Sequence, residues 1–271
     1  MITPAPNTLE QSRPAPASFA VPARHNPRLQ ALVECLNADD ELRQWWRCAN
    51  VTAVERLGLS DHGETHARIV ANASLRMLRL LLEAGQTPHL MRQHGLGREE
   101  AEVLVVLAAA LHDLGLAVHS QRTAELGLSL ALPKLQEWLR PLYAPRERVI
   151  LAAETLHAIG AHHGLGPALT LEAGVLSLAD ALDMAKGRTR RPAAGETTPA
   201  ADATIEDVSL RRGGGRPVRI DVRVNQPVGA GYANAVLRRR LANSSMAAQV
   251  EIYAHLVSGA EQRLYPSDFQ A

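Results

Sequence analysis

The stretch Val103-Leu-Val-Val-Leu-Ala-Ala-Ala-Leu-His112-Asp113-Leu-Gly115 sets nine apolar residues directly before an adjacent histidine and aspartate. A helix that is apolar on every side has no face to give to water, so it runs through the middle of a helical domain. This one ends by carrying an imidazole and a carboxylate into the interior, with Gly115 as the expected helix stop. Burying an ionised carboxylate costs several kcal/mol unless a cation or good donors compensate. Two arrangements meet that demand. One is a helix end hydrogen-bonded to nearby backbone; the other is a divalent transition metal, which suits neutral imidazole nitrogen and carboxylate oxygen together.

The length, 271 residues, allows one large domain or a domain with a small appendage. Aromatic residues make up 3%, so the core is built from Leu, Ala and Val, which suits helices. With a net charge of +1 the chain as a whole favours neither nucleic acid nor an anionic membrane. Cys35 and Cys48 make neither a disulfide framework nor a CxxC metal site, and a reducing, cytoplasmic setting is expected. No apolar run reaches the roughly 18 residues of a membrane span, and the N-terminus lacks the charged-then-apolar order of a signal peptide.

Residues 1–26, rich in Pro and Ala, read as a disordered arm. Residues 27–187 read as a helical domain. Its first helix is expected from Pro27 to Cys48, and Asn50 is placed to cap a short helix ending at Gly58. Asp61 and Glu64 form a capping pair for the helix that begins near His66. His62 and His66, four apart, can share its face, with His62 expected at the surface or behind the ligands. Gly85 to Gly97 reads as a loop before the central helix. Further helices are expected over Gln121–Leu139, from Pro145 to His162-His163, and over Leu171–Lys186 with Thr170 as cap. Residues 188–203 read as a linker, and 204–271 as a small ββαβ unit with strands at Thr204–Leu210, Val218–Val224 and Val250–Val257. Three strands are too few to stand without a partner surface, which makes a homodimer a candidate. The Arg238-Arg239-Arg240 run reads as a solvated helix face.

His66, His112-Asp113, His157, His162-His163 and Asp180 each fall at or near the end of an apolar helix. One buried histidine is usually a satisfied core residue; five of them converging with two aspartates are hard to explain as packing. Here the chain resembles the HD-domain metal-dependent phosphohydrolase superfamily, of the stand-alone prokaryotic kind with a small C-terminal α+β extension. The resemblance rests on His66 in Thr-His-Ala-Arg-Ile-Val-Ala-Asn, His112-Asp113 in Ala-Leu-His-Asp-Leu-Gly and Asp180 in Leu-Ala-Asp-Ala-Leu-Asp, and covers about residues 55 to 190. No Gly-Tyr-Pro follows His162-His163, so this is not a full HD-GYP domain, and Leu116 stands where many relatives have a phosphate-binding lysine.

The resemblance implies a mainly α bundle in which His66, His112, Asp113 and Asp180 hold a divalent ion (Mn, Fe, Co, Ni or Zn). It also implies that further histidines hold a second: His157 and His162 by position, with His119 and His163 as rivals. Asp113 could bridge two ions. Glu154, one turn before His157, is a candidate to orient that ring or accept a proton. Lys186 and Arg188, with His163 and His119, are candidates for contacting a substrate phosphate. The expected activity is hydrolysis of a phosphate ester, of a nucleotide or related small molecule, by metal-activated water. The rivals are a di-iron oxygenase on the same scaffold and a non-catalytic metal-bound sensor. Metal-dependent activity on phosphate esters, lost in His112→Ala but retained without residues 204–271, would separate the hydrolase from the sensor.

Overall fold

The structure, a computed structural model, describes residues 18–185, 201–242, 244–257 and 259–266, apart from the side chain of residue 202. The sequence of elements begins with α1 (Pro27–Ala38), α2 (Asp40–Asn50), α3 (Glu64–Glu83), α4 (His89–His94) and α5 (Arg98–Leu111). It continues through α6 (Thr123–Leu139), α7 (Pro145–His162) and α8 (Leu171–Ala181) to β1 (Ile205–Arg212), β2 (Val218–Val224), α9 (Pro227–Leu241), β3 (Val250–Leu256) and β4 (Glu261–Tyr265). The fold is mainly helical with a small C-terminal α+β unit, as the pattern predicts.

The apolar helix α5 is buried along its whole length from Glu100 to Leu111. It packs against α3, α7, α8 and α1. Each large aliphatic side chain fully buried in this way contributes about 1.5–3 kcal/mol, so α5 is the axis around which the other helices are ordered. The two glutamates that break its apolar run are both satisfied. Glu102 accepts from Arg79 at 2.9 and 3.0 Å and from Asn26 at 3.2 Å, and Glu100 pairs with Arg28 and accepts from the Gly97 amide. At its far end the Ala110 carbonyl accepts from Trp46 Nε1 at 2.8 Å, which ties α2 to the point where the His-Asp pair emerges.

Several expectations about boundaries are corrected. The single helix expected over Pro27–Cys48 is broken at Asp39, which sits in an extended conformation and caps α2 through Leu42 N at 2.8 Å. Its other oxygen accepts from Lys134 at 2.8 Å and from Trp138 at 3.1 Å, so the break is fixed by contacts with α6. Asn50 caps no helix: α2 runs on into a π-helical turn over Val51–Arg56, and the Asn50 side chain accepts from His62 N instead. Asp61 does not cap α3 either; its carboxylate accepts from Gly63 N, the residue that stands at the cap. The expected loop over residues 85–97 contains α4, whose first amides are met by the buried Glu172 carboxylate of α8.

Gly115 is not a left-handed stop. It lies in a 3-10 turn (Leu114–Ala117), and a Cβ there would stand 2.0 Å from the Thr123 carbonyl oxygen and 2.6 Å from Gly127 N. Glycine is needed because the turn after the His-Asp pair presses directly on the backbone of α6.

The C-terminal unit is ββαββ, one strand more than expected. β1 and β2 form a hairpin, α9 crosses over to bring β3 parallel to β2, and β4 returns antiparallel to β3, in the order β1-β2-β3-β4. Ile205, Ile220, Val222, Val224, Ile252 and Ala254 face inward and belong to the same continuous core as α5. The segment before β3 is pressed onto α8. A Cβ on Gly174 would meet Ser244 Oγ at 2.5 Å and Met246 Cγ at 2.8 Å, and Ala168 pairs with Ser244 in a parallel bridge. No helix among the described residues is long and apolar enough to cross a membrane.

Candidate metal centre

The ends of α3, α5, α7 and α8 meet at one buried point. His66 lies in the first turn of α3, His112 and Asp113 follow α5, His162 and His163 end α7, and Asp180 lies in the last turn of α8. Side-chain atoms from His66, His112 and Asp113, from His112, His162 and Asp180, and from Asp113, His162 and His163 form three groups, each within 4.8 Å.

The hydrogen bonds fix which atoms are available. His66 Nδ1 donates to Asp183 Oδ2 at 2.7 Å, and His112 Nδ1 donates to the Ala109 carbonyl at 2.8 Å. Both rings therefore turn Nε2 toward the centre, where the two Nε2 atoms are 3.2 Å apart. Two neutral rings arranged like this would point bare lone pairs at each other, so the geometry calls for a cation between them. Carboxylates approach the same place: Asp180 Oδ1 lies 3.2 Å from His66 Nε2, and Asp113 Oδ2 lies 3.1 Å from His112 Nε2 and 3.4 Å from His66 Nε2. Asp113 Oδ2 is buried, and its partners among the described residues are these two ring nitrogens, which can compensate it only when they carry protons. With neutral rings that is an expensive arrangement for a carboxylate oxygen unless it ligates an ion.

Among these groups themselves the demand is met by protons. Burial works against the imidazolium of His112, but the carboxylates of Asp113 and Asp180 outweigh it and raise the ring to about 9. His66 is likewise raised well above the ordinary histidine range, its burial overcome by Asp113, Asp180 and Asp183. Burial disfavours ionised Asp113 and Asp180 as well, yet the surrounding histidines hold both well below the usual carboxylate range. A proton and a divalent ion are alternatives at such a place, because ligands must be deprotonated to bind metal.

His162 differs. Burial drives it down to about 3, against the pull of Asp180, so it stays a neutral ring, and its buried Nδ1 has no partner among the described residues. Its Nε2 is 3.8 Å from Asp180 Oδ2. His163 Nε2 lies 3.5 Å from Asp113 Oδ1 but donates to the His112 carbonyl at 2.7 Å, a bond it would have to surrender to ligate through that nitrogen. The donor set of neutral nitrogens and carboxylates fits a divalent transition metal.

Of the residues singled out in the sequence, His66, His112, Asp113, His162, His163 and Asp180 are brought together. His157 is not. It lies more than a turn before His162 on α7, and its Nε2 accepts from Leu169 N at 3.3 Å. Glu154 pairs with His94 at 3.0 Å, away from the cluster. His119 is exposed and caps a 3-10 turn by accepting from Gln121 N. Lys186 and Arg188 fall outside the described residues. α8 ends at Ala181 rather than Lys186, and this early end frees Asp183 to turn back to His66.

Two residues, Asp183 and Arg240, gain a place that the sequence reading did not give them, and His62 lies beside His66 as its spacing of four allows. Asp183 carries His66 from behind, and only its spacing of three from Asp180 hinted at it. The His62 ring is tilted 44° to that of His66 with centres 5.2 Å apart, and its Nδ1 donates to the Ser60 carbonyl at 2.7 Å. Arg240, from α9, reaches Asp180 Oδ2 at 3.0 Å. Nothing local in the sequence marks Arg240, because the crossover that delivers it is a tertiary feature.

A helical bundle that gathers His, His-Asp and Asp from separate helix ends defines a class, and comparison agrees: the HD domain family matches residues 70–185. The chain belongs to the HD-domain family. It is similar to the uncharacterized protein MJ1020 of Methanocaldococcus jannaschii, with 34% identity over 213 residues, 78% of this chain and 82% of that protein. The similarity therefore reaches well beyond the HD match itself. No solved structure matches the chain.

Proposed function

We propose that the protein is a metal-dependent phosphohydrolase that cleaves a phosphate ester of a small molecule, a nucleotide being the first class to try. The observation that carries this reading is the pair of Nε2 atoms of His66 and His112, 3.2 Å apart and flanked by Asp113 and Asp180, with both Nδ1 atoms already committed. In this reading His66, His112, Asp113 and Asp180 hold the first divalent ion. His162, kept neutral by burial, offers a nitrogen for a second ion, with Asp113 between the two and His163 beside it. Bound there, a divalent ion supplies Lewis-acid chemistry, acidifying water towards neutral pKa and polarising a phosphoryl oxygen. Asp183 fixes the orientation of His66, as carboxylates behind ligating histidines do.

The test is metal content per chain in the wild type and in His112→Ala, followed by release of phosphate from a panel of phosphate esters. Bound metal lost in His112→Ala together with metal-dependent hydrolysis is the expected result. Wild-type protein that takes up no divalent ion after re-addition would sink this reading.

A further inference from the structure

The three consecutive arginines of α9 do not share one fate. Arg238 is used within the C-terminal unit, donating to Asn234 Oδ1 and to the Leu264 carbonyl, each at 2.8 Å. Arg240 leaves that unit: Nη2 donates to Asp180 Oδ2 at 3.0 Å and Nη1 to the His162 carbonyl at 3.3 Å. Arg239, between them, is exposed and makes no hydrogen bond or ion pair among the described residues. Arg239 and Arg240 line one cleft with His162, Ser177 and the Gly164–Ala168 loop. The cleft has a volume of about 560 Å³, and no carboxylate is among its lining residues. That volume falls within the ~300–1,000 Å³ common for small-molecule sites. Arg240 is paired with Asp180 behind the wall, but Arg239 has no counter-charge among the described residues and no carboxylate lines the cleft, so positive potential gathers on its concave side. The wall is also fixed in place, since the contact of Gly174 with Ser244 and Met246 presses the segment after α9 onto α8.

We propose that this cleft is the subsite for the substrate's phosphoryl group, and that the C-terminal unit supplies its cationic wall. Arg239 binds phosphoryl oxygens directly. Arg240 positions Asp180 and turns its remaining N–H groups to the same anion, a planar donor set suited to phosphate. This rests on the phosphohydrolase reading, and it adds that the substrate is a small phosphorylated compound held between the helical and C-terminal parts of the chain.

The test uses full-length protein, wild type beside Arg239→Gln, Arg240→Gln and Arg240→Lys, with metal content measured on each. Calorimetry then follows binding of inorganic phosphate with and without added Mn²⁺. Arg239→Gln should keep wild-type metal content and melting temperature while phosphate binding weakens about tenfold to a hundredfold, as expected for loss of a charged hydrogen bond. Arg240→Gln should weaken both phosphate and metal, with Arg240→Lys restoring part of the metal binding. Unchanged phosphate affinity in Arg239→Gln would overturn the proposal, as would a metal-loaded wild type that binds no phosphate. Phosphate binding that depends on Arg239, in a protein that hydrolyses no phosphate ester, would support the subsite and count against the hydrolase.

Discussion

His66 reaches the cluster through two opposed contacts, Asp183 on Nδ1 and the facing Nε2 of His112 on the other side. Replacing Asp183 by Asn keeps the shape but removes the negative charge behind the Nδ1 proton and puts an amide there that can donate as well as accept, so the ring loses its fixed tautomer. Asp183→Asn should bind metal about 10–100-fold more weakly, read by competition with a chelator, with little change in circular dichroism. The same rings predict proton linkage. His112, raised to about 9 by Asp113 and Asp180 against burial, carries a proton at neutral pH that an incoming ion must displace. Metal affinity should therefore rise with pH up to about 9, and calorimetry at pH 7 in two buffers of different ionisation enthalpy should show proton release on binding. The sign for the metal-free fold is the opposite. A raised histidine stabilises it fully below the ordinary value of 6.5, and that contribution is lost as pH rises through about 9. No proton release would show that the ion binds elsewhere. The residues of the cluster are legible because each sits at or near one end of an apolar helix. His157 and Glu154 lie on the same helix as His162 and were misplaced, because position along a helix does not say which way its last turns face.

Among the elements, the turn from α5 into α6 carries the tightest geometric demand. Gly115→Ala would drive a methyl into the Thr123 carbonyl, which cannot move without shifting the start of α6. Overpacking of this kind costs about 1–3 kcal/mol. The variant should melt several degrees lower and lose metal in parallel, since the displaced turn follows Asp113 directly. A variant that melts like the wild type would mean that α6 can slide freely. The long helices could be read from periodicity and caps, α5 above all. Other features had their cause far away in the chain. α4 is six residues long and is capped by Glu172, whose contact with Leu90 N spans 82 residues. The break at Asp39 is held by Lys134 and Trp138, 95 and 99 residues on. β4 escaped notice because Glu-Gln-Arg-Leu-Tyr buries only Leu264 at the sheet edge and shows no clear alternation.

For the molecule as a whole, the question is whether the C-terminal unit is an appendage. The sequence pattern changes period after residue 203, which suggests a separable piece, and a separable piece should leave a hydrolase intact when removed. The packing argues otherwise. The inward face of the sheet, with Met246 and the apolar side of α9, is continuous with the core of the helical bundle. Fully burying a large aliphatic side chain is worth about 1.5–3 kcal/mol, and whole domains are stable by only about 5–15 kcal/mol. Uncovering α3 and α8 by deleting the sheet would therefore consume much of the margin. Deletion would also remove Arg240, leaving Asp180 Oδ2 without its guanidinium partner beside the cluster. A chain ending at residue 185 should accordingly be poorly soluble or molten, binding the dye ANS and retaining little metal. A truncated chain that melts cooperatively, holds wild-type metal and hydrolyses the same esters would show that the C-terminal unit is an appendage after all. It would also remove the structural ground for placing Arg239 and Arg240 at the substrate.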